Sequence, residues 1–429
     1  MHKTTRLVGL FGALAIVVGA CSSGATTAPS AVPSAAAPSA AASAEASAAA
    51  SAAASAAPSA AALTGKLTIW DTYGSGGSAE ADAMIAVLAL AKTTFPDLTI
   101  DRVNVPFSDI FNKTNAGWGA GDATPDMFIA PNDSLGVQTR LGVLSELDTA
   151  LAGKLDGFAP ITVDGSKVAG KLMMVPESAK TLGMFYNTSL VKTAPASLDE
   201  LMTMAKAGTK VGIDLADGAY YNWAFYSAFG GKILDDSGKC VADQGGVADS
   251  LKYLADLKAT GNVTFYQDKP TFQADFKTGK TGIIFEGPWA SGDFKTALAD
   301  KLASAPIPPG PKGKSQPMTG IDGWYINTNS TNKDLAVAFA LWLVTGPAEQ
   351  VFADKAGHLP AFSAITVTDP IGAQFAKANL DGYPRPQNKE LDTYWTNFSN
   401  AQQAVVNKGT DPATAVATAC AAMNKANGK

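Results

Sequence analysis

A long tract of alanine, serine and proline, residues 22–62, divides this 429-residue chain into two unequal parts. Only five residues depart from that composition: Gly24, Thr26, Thr27, Val32 and Glu45. The tract has almost no large apolar side chains to bury, so it is predicted to be a disordered linker. The chain from Thr64 onward is long enough to bury a large core and to form two domains.

A short leader precedes this linker. A basic start is followed by an apolar run, residues 7–20, that ends at Cys21. The run is shorter than the roughly 20 residues that a membrane-spanning helix needs. This layout predicts a secretory signal peptide over residues 1–20, and a cysteine at the cleavage point is typical of bacterial lipoproteins. We expect lipidation of Cys21, anchoring to the cell membrane, and residues 21–63 as a tether for an extracytoplasmic body. An ordinary signal peptide with an incidental cysteine is the alternative.

The charge balance narrows the choice of partners. Removing residues 1–20 also removes Lys3 and Arg6, which leaves 31 Lys and Arg against 38 Asp and Glu, a net charge of −7. Nucleic acids and anionic membrane surfaces attract basic proteins. We therefore expect no nucleic-acid partner.

Two cysteines remain in the body, Cys240 and Cys420. An extracytoplasmic compartment is oxidising and permits a disulfide. A bridge between residues so far apart in sequence would stabilise the fold by roughly 4 kcal/mol. The bridge is favoured, and two buried free thiols are the alternative.

Motifs for catalysis and cofactor binding are missing from the sequence. His358 is the one histidine after the leader, and no Gly-x-Ser-x-Gly motif accompanies it. A structural or surface role is expected for it. Two Gly-Lys-Ser/Thr strings lack the upstream glycine of a phosphate loop, since Ala274 and Pro308 stand there. No catalytic residue, metal or cofactor is therefore predicted, and binding is favoured over catalysis.

Predicted strands and helices alternate along the body, which favours an α/β fold with parallel βα units. The predicted strands are 66–70, 98–103, 126–130, 184–186, 210–213, 281–285 and 324–327, with a hairpin at 168–172. The predicted helices are 78–94, 107–117, one that a capping box opens at Ser197, 219–229, 245–260, 333–344, 347–355 and the region after Leu391.

Aromatic residues recur beside polar ones at the ends of these elements. The clusters are Trp70-Asp71-Thr72-Tyr73, Tyr220-Tyr221-Asn222-Trp223, Glu286-Gly-Pro-Trp289, Asp322-Gly-Trp324, Tyr383-Pro-Arg385 and Tyr394-Trp395. An aromatic ring can cover the C–H face of a pyranose while carboxylates and amides bind its hydroxyls. The clusters therefore favour a sugar ligand.

Motifs in a fixed order carry a resemblance to a known family. They are Lys66-Leu-Thr-Ile-Trp70, Gly121-Asp-Ala-Thr-Pro125-Asp126, Gly142-Val-Leu-Ser-Glu-Leu147, Gly170-Lys-Leu-Met-Met-Val-Pro176, Phe185-Tyr186-Asn187, residues 272–279, Gly287-Pro-Trp289 and Leu359-Pro360-Ala361. Over residues 64–429 this series resembles the maltose-binding-protein-like extracellular solute-binding proteins of family 1.

The resemblance implies two α/β lobes in the type II periplasmic-binding-protein arrangement, each a sheet flanked by helices, joined by crossing hinge strands. The first lobe would comprise 64–179 and 321–366, the second 183–317 and 368–429, with the hinge near 180–182, 318–320 and 367. Both Cys240 and Cys420 would then belong to the second lobe, which supports their bridge.

The resemblance also implies a function. A monomer would bind a sugar, an oligosaccharide above all, between its lobes and deliver it by lobe closure to the permease of an ABC importer. Carried over by position, the ligand-binding residues would be Asp71, Tyr73, Asn132, Asp133, Lys180, Tyr220, Tyr221, Glu286, Trp289, Trp324, Tyr383 and Trp395.

Three positions depart from maltose-binding protein. Ala130 replaces a stacking tryptophan, Ser134 replaces an arginine, and Lys180 replaces a hinge glutamate. These departures predict a ligand other than maltodextrin, either a different oligosaccharide or a charged one paired to Lys180 or Arg385. The alternatives are the same fold with a polyol phosphate, polyamine or opine, an extracellular glycosidase, and a structural or adhesion lipoprotein.

Overall fold

The computed structural model describes residues 62–117 and 124–429. The predicted signal peptide, the predicted lipidation site Cys21 and nearly all of the linker lie outside the described residues. Within the described ranges, no single helix is long and apolar enough to cross a membrane, and one pair, Lys333–Leu343 with Pro347–Ala356, passes by length and composition although it is bent by 55°.

Fourteen strands and fifteen α-helices make up the described part of the chain. The strands are β1 (Gly65–Asp71), β2 (Leu98–Asn104), β3 (Met127–Pro131), β4 (Lys167–Val168), β5 (Lys171–Leu172), β6 (Val175–Lys180), β7 (Gly183–Asn187), β8 (Val211–Asp214), β9 (Val263–Tyr266), β10 (Ile283–Glu286), β11 (Leu302–Ala305), β12 (Met318–Ile326), β13 (Leu359–Pro360) and β14 (Tyr383–Pro384).

The helices are α1 (Ala79–Thr94), α2 (Phe107–Asn115), α3 (Leu135–Leu141), α4 (Pro160–Gly165), α5 (Leu198–Lys206), α6 (Gly218–Tyr221), α7 (Trp223–Ala228), α8 (Val247–Ala259), α9 (Lys269–Lys277), α10 (Ser291–Leu298), α11 (Lys333–Leu343), α12 (Pro347–Ala356), α13 (Pro370–Leu380), α14 (Tyr394–Lys408) and α15 (Pro412–Ala426). Short 3-10 segments add Ala242–Gln244, Pro288–Ala290, Ala299–Lys301 and Lys389–Thr393.

Two mixed sheets organise these elements. The first has the order β13-β6-β12-β3-β1-β2, and β14 also pairs with β12. Its strand β1 runs parallel to β2 and β3, whereas β12 runs antiparallel to β3 and β6. The second sheet has the order β11-β7-β10-β8-β9. The chain passes from the first sheet to the second between Lys180, the end of β6, and Gly183, the start of β7.

The strand β12 is the central element of the first sheet. All nine of its residues are buried, and it pairs with strands on both sides. The sequence predicted a strand only over 324–327, because two glycines interrupt the apolar pattern and glycine has a low strand propensity. The register shifts between Asp322 and Gly323. A Cβ atom at Gly323 would lie 2.7 Å from the Val175 carbonyl oxygen, so this close approach requires glycine.

Side-chain caps explain where the predicted helices begin. The Ser78 hydroxyl accepts a hydrogen bond from the Ala81 N–H at 3.2 Å, which fixes the start of α1. Ser197 accepts from the Glu200 N–H at 3.1 Å and starts α5 as predicted. Residues 219–229 instead form two helices separated at Asn222. The Asn222 amide donates to the Asp214 carbonyl oxygen and to Gln402, so it does not continue one regular helix.

An apolar cluster joins the two sheets. Each sheet has its own core, and a third cluster combines Phe128 of β3 with Phe185 of β7 and Phe294 of α10. Phe128 stacks on Tyr325 of β12 with ring centroids 4.5 Å apart. The two sheets are therefore packed through side chains near the point where the chain passes between them.

The helices α1 and α10, which follow strands of different sheets, also meet. Asp293 accepts a hydrogen bond from the Ala79 N–H at 2.9 Å. A Cβ atom at Gly292 would lie 2.4 Å from the Ala79 Cβ and 2.3 Å from the Lys355 carbonyl oxygen. Glycine at this position permits the close contact.

Cys240 and Cys420 form a disulfide, with their Cα atoms 5.4 Å apart. The bond joins the segment before α8 to the last helix, α15. The Cys240 N–H also donates to Asn424 at 2.7 Å. The end of the chain is thereby fixed to the core around the second sheet.

Candidate ligand-binding cavity

A cavity of about 800 Å³ lies between elements of the two sheets. From the side of the first sheet it is lined by Thr72, Tyr73, Glu80, Phe107, Pro131, Asp133 and Gly320, together with Lys180. From the side of the second sheet it is lined by Asp217, Ala219, Tyr220, Tyr221, Lys269, Gln273, Trp289, Trp395, Thr396, Ser399 and Asn400, together with Arg385. Aromatic rings and hydrogen-bonding groups therefore face one shared cavity.

The structure brings together seven of the residues that the sequence predicts to bind ligand, and these line the cavity: Tyr73, Asp133, Lys180, Tyr220, Tyr221, Trp289 and Trp395. They come from strand ends and helix starts that are far apart in sequence. The lining of the cavity supports a role in binding for this subset.

Three predicted ligand residues instead form hydrogen bonds to other groups of the protein. Asp71 is fully buried, and both of its carboxylate oxygens accept from Arg102, at 2.6 and 2.8 Å. The Asn132 amide donates to the Gly165 carbonyl oxygen at 2.9 Å. Glu286 is buried and accepts from the Tyr221 hydroxyl at 2.7 Å. None of the three lines the cavity.

The remaining two, Trp324 and Tyr383, lie in packed regions outside the cavity lining. Trp324 is completely buried and belongs to the apolar core of the first sheet. Tyr383 belongs to β14 and packs against Trp223, with ring centroids 5.3 Å apart. Neither of these two residues lines the cavity.

Lys180, which lines the cavity, forms an ion pair with the buried carboxylate of Asp322. Its Nζ lies 2.7 Å from Asp322 Oδ2 and 4.8 Å from the centroid of the Trp289 ring. Burial opposes the charge of Lys180, but Asp322 and then Glu80 outweigh burial and raise its pKa. Burial raises the pKa of Asp322 to about 6 despite the attraction of Lys180. The carboxylate of Asp322 therefore favours the charged form of Lys180.

Arg385 lies between two of the cavity rings. Its guanidinium carbon is 5.2 Å from the centroid of Tyr220 and 5.2 Å from that of Trp395. Asp133 accepts from it in an ion pair in which the arginine side chain is almost fully buried. The guanidinium fixes the two rings by cation–π contacts and leaves its charge matched within the protein.

Lys269 of α9 covers a third ring. Its Nζ is 3.7 Å from the centroid of Tyr221 and 3.5 Å from Asp214. Burial raises the pKa of Asp214 to about 6 against the attraction of Lys269. Gln273, one turn later on α9, donates to Glu286 at 3.1 Å. This network holds Tyr221 in place.

Behind Tyr73 lies His358, between two glutamates. Its Nδ1 is 2.5 Å from Glu177, and its Nε2 is 3.1 Å from Glu80, which lines the cavity. The Tyr73 ring meets the imidazole edge-on at 5.8 Å. Burial opposes the charge of His358, but Glu177 and Glu80 outweigh burial and raise its pKa well above the usual range. His358 is buried and structural, and the predicted alternative of a surface position is wrong.

Several residues that line the cavity were not among the predicted ligand residues. Lys269 and Gln273 lie on a helix that the sequence did not predict, and Glu80 and Phe107 lie in the first turns of predicted helices. Thr396, Ser399 and Asn400 follow Trp395 at helical spacing on α14. That spacing places polar side chains on the same face as Trp395 and was a usable signal.

The family model for bacterial extracellular solute-binding proteins matches residues 86–379. The chain belongs to this family. The maltotriose-binding protein of Pyrococcus abyssi is 28% identical to this solute-binding protein over 328 residues, which cover 71% of the chain and 70% of that relative. A maltooligosaccharide ABC transporter solute-binding lipoprotein of Streptococcus pneumoniae is 27% identical over 322 residues, which cover 68% and 74% respectively.

Solved structures of such proteins share the fold. The Thermus thermophilus maltotriose-binding protein, bound with maltotriose, matches this solute-binding protein with a TM-score of 0.77 and 26% identity, covering 84% of the chain and all of that structure (100%). The GacH receptor of Streptomyces glaucescens, solved unliganded and with acarbose, matches with a TM-score of 0.78 and 23% identity, covering 85% and 98%. The predicted two-lobed periplasmic-binding-protein fold is confirmed.

Among residues 62–117 and 124–429, no group of three or more histidine, cysteine, aspartate or glutamate residues could hold a metal ion.

Proposed function

We propose that this solute-binding protein binds a neutral oligosaccharide of the maltooligosaccharide class in the cavity and delivers it to the permease of an ABC importer. The observation that carries this proposal is the cavity itself, in which Tyr220, Trp289 and Trp395 alternate with carboxylates, amides and hydroxyls. Rings of this kind cover the apolar faces of sugar rings, and the polar groups bind hydroxyls. The names of the relatives from P. abyssi and S. pneumoniae support the ligand class.

A neutral ligand fits the charges of the cavity better than an anionic one. Each of the lining cations Lys180, Lys269 and Arg385 has a carboxylate partner of the protein. The further carboxylates Glu80 and Asp217 also face the cavity. An anion would have to displace a carboxylate partner or approach an excess of negative charge. This argues against a charged ligand paired to Lys180 or Arg385.

Two of the three positions that depart from maltose-binding protein lie outside the lining of the cavity, whereas the third, Lys180, lines it. Ala130 is buried within β3, and Ser134 is buried beside Asn115. Neither belongs to the lining of the cavity. The identity of these two side chains therefore bears little on which sugar fits.

The delivery mechanism is part of the proposal. The first lobe would comprise 64–179 and 321–366, and the second 183–317 and 368–429. Bending near 180–182, 318–320 and 367 would bring the lobes together on a ligand that contacts both only in the closed state. A lipid on Cys21 and the linker after it would keep the monomeric protein close to the permease.

Thermal unfolding of the purified protein with a panel of sugars tests the ligand class. A ligand at 100 times its dissociation constant adds about 2.7 kcal/mol to the free energy of unfolding, which raises the melting temperature measurably. We expect shifts from maltooligosaccharides and none from amino acids or polyamines. Shifts from those controls alone would contradict the sugar assignment. Unchanged oligosaccharide after long incubation would agree with binding without hydrolysis, whereas shortened products would favour a glycosidase.

A further inference from the structure

Phe107 is the first residue of α2, and its side chain lines the cavity although 49% of the residue is exposed. Its ring meets Phe111 edge-on, with centroids 5.7 Å apart and planes 81° apart. Single exposed apolar residues are common on protein surfaces. Phe107 differs from most exposed apolar residues because its ring lines the cavity that the proposed sugar would occupy.

The other rings of the cavity are either nearly buried or have a cation of the protein beside them. Tyr221 is only 3% exposed, and Lys269 covers it. Tyr220 and Trp395 flank Arg385, and Trp289 contacts Lys180. Tyr73 is 6% exposed and packs on His358 and Phe352. Among the lining rings that the structure describes, Phe107 is the one with a large exposed face and no cation over it.

The position of Phe107 also differs from that of the others. It comes from the side of the first sheet, after β2, whereas Tyr220, Tyr221, Trp289 and Trp395 come from the side of the second sheet. Because Tyr73 and Tyr221 are nearly buried and Phe107 is half exposed, the first two form the floor of the cavity and Phe107 lies at its mouth.

We propose that Phe107 stacks on a sugar unit at one end of a bound oligosaccharide and makes affinity increase with the length of the ligand. This inference rests on the proposed function. The half-exposed ring loses contact with water only when a ligand is long enough to reach it. Phe111 holds the ring in place, so little side-chain freedom is lost on binding. A short ligand that occupies only the floor would gain nothing from Phe107.

Isothermal titration calorimetry of the whole protein with maltooligosaccharides, from the disaccharide to the heptasaccharide, tests this. We expect Phe107→Ala to weaken binding of the longest ligand about tenfold, with little change for the shortest ligand that binds. Phe107→Tyr keeps the ring and should retain the length dependence. Phe107→Leu keeps apolar volume without the ring and should behave like the alanine variant.

Leu141→Ala is a matched control, since Leu141 is 53% exposed and does not line the cavity. Equal loss at every length in Phe107→Ala, or no loss at any length, would overturn the inference while leaving the proposed function intact. A wild-type protein that binds no oligosaccharide would overturn the proposed function and this inference with it. Unchanged melting temperatures of the ligand-free variants would show that affinity differences do not arise from unfolding.

Discussion

Asp293 of α10 accepts a hydrogen bond from the Ala79 N–H at the start of α1, 214 positions away in the sequence. The carboxylate therefore acts at the N-terminus of a helix that belongs to the other sheet. Such a charge is favoured there by the unpaired N–H groups and by the helix dipole. The hydrogen bond is also a direct contact between elements of the two lobes.

Replacing Asp293 should loosen this contact. We expect Asp293→Ala to lower the free energy of unfolding by about 1 kcal/mol and Asp293→Asn by less, since asparagine keeps an acceptor oxygen. Urea denaturation measures both. Ser78→Ala is the control, because it removes a cap of the same helix without removing a contact between the lobes. If Asp293 helps to keep the lobes together, only Asp293→Ala should increase the radius of gyration of the ligand-free protein. Equal radii for the two variants would contradict a role of Asp293 between the lobes.

The cavity tryptophans should contribute to affinity. We expect Trp289→Ala and Trp395→Ala each to weaken oligosaccharide binding by about 1–3 kcal/mol, because each would lose an aromatic contact with the sugar. Trp324→Phe is the control, since Trp324 is completely buried in the core and should affect stability but not affinity. Calorimetry that finds unchanged affinity in both cavity variants would refute the assignment of these rings.

Removing one charge of the buried pair of Lys180 and Asp322 should destabilise the protein more than removing both charges. Asp322→Asn leaves the Lys180 charge buried without its partner and should lower the free energy of unfolding by about 3–5 kcal/mol. The double variant Lys180→Met with Asp322→Asn removes both charges and should be less destabilised than Asp322→Asn alone. Chemical denaturation of the four proteins in this cycle measures the coupling. Additive effects would mean that the two side chains do not interact.

Glu349 should make stability depend on pH. It is fully buried, and burial followed by the nearby Glu177 raises its pKa well above the usual value. The folded state then keeps a proton that the unfolded state loses above about pH 4.3. Stability from Glu349 is present below that pH and falls as pH rises, by about 1.4 kcal/mol per pH unit for one proton.

His358 adds to the same trend above about pH 6.5, because its pKa is also raised in the folded protein. We expect Glu349→Gln, which keeps a neutral side chain of similar shape, to be more stable than the wild type near pH 7 and to depend less on pH. Urea denaturation across this pH range is the measurement. Parallel pH profiles for the two proteins would show that Glu349 does not hold a proton in the folded state.

The disulfide should stabilise the second lobe. Cys240 and Cys420 are 180 positions apart, so cross-linking removes a large loop entropy from the unfolded chain, worth about 4–5 kcal/mol. We expect Cys420→Ser to lower the free energy of unfolding by an amount of this order. A reducing agent should destabilise the wild type similarly and leave the double variant Cys240→Ser with Cys420→Ser unchanged. A wild type insensitive to reduction would argue against the bond.

Local signals predicted much of the fold from the sequence. Ser78 and Ser197 marked helix starts correctly because an N-cap acts on N–H groups two or three residues away. Motif order identified the two-lobed architecture. The division at Asn222 could not be predicted, because it depends on Gln402, a residue 180 positions away. Most of the buried strand β12 was not predicted, because its glycines interrupt the apolar pattern.

The site was predictable only in part, for the same physical reason. The aromatic residues of the cavity could be predicted, since large rings next to polar residues are easily recognised in the sequence. Their cationic partners could not be predicted, because Lys269 and Arg385 contact the rings from elements that are distant in the sequence. Asp71 has the residue type and position of a ligand contact, yet Arg102 from the neighbouring strand occupies its carboxylate. The pairing of neighbouring strands therefore determines which polar side chains remain free to bind a ligand.

The ion pairs of Lys180, Lys269 and Arg385 have a consequence for the conditions in which the protein works. These cations carry their counter-charges within the folded chain, so entry of an uncharged sugar neither takes up nor releases dissolved ions there. Affinity should then stay nearly constant between dilute and saline surroundings. A solute-binding protein outside the cytoplasm, where ionic strength is not regulated, would then bind sugar with similar affinity in dilute and in salty surroundings.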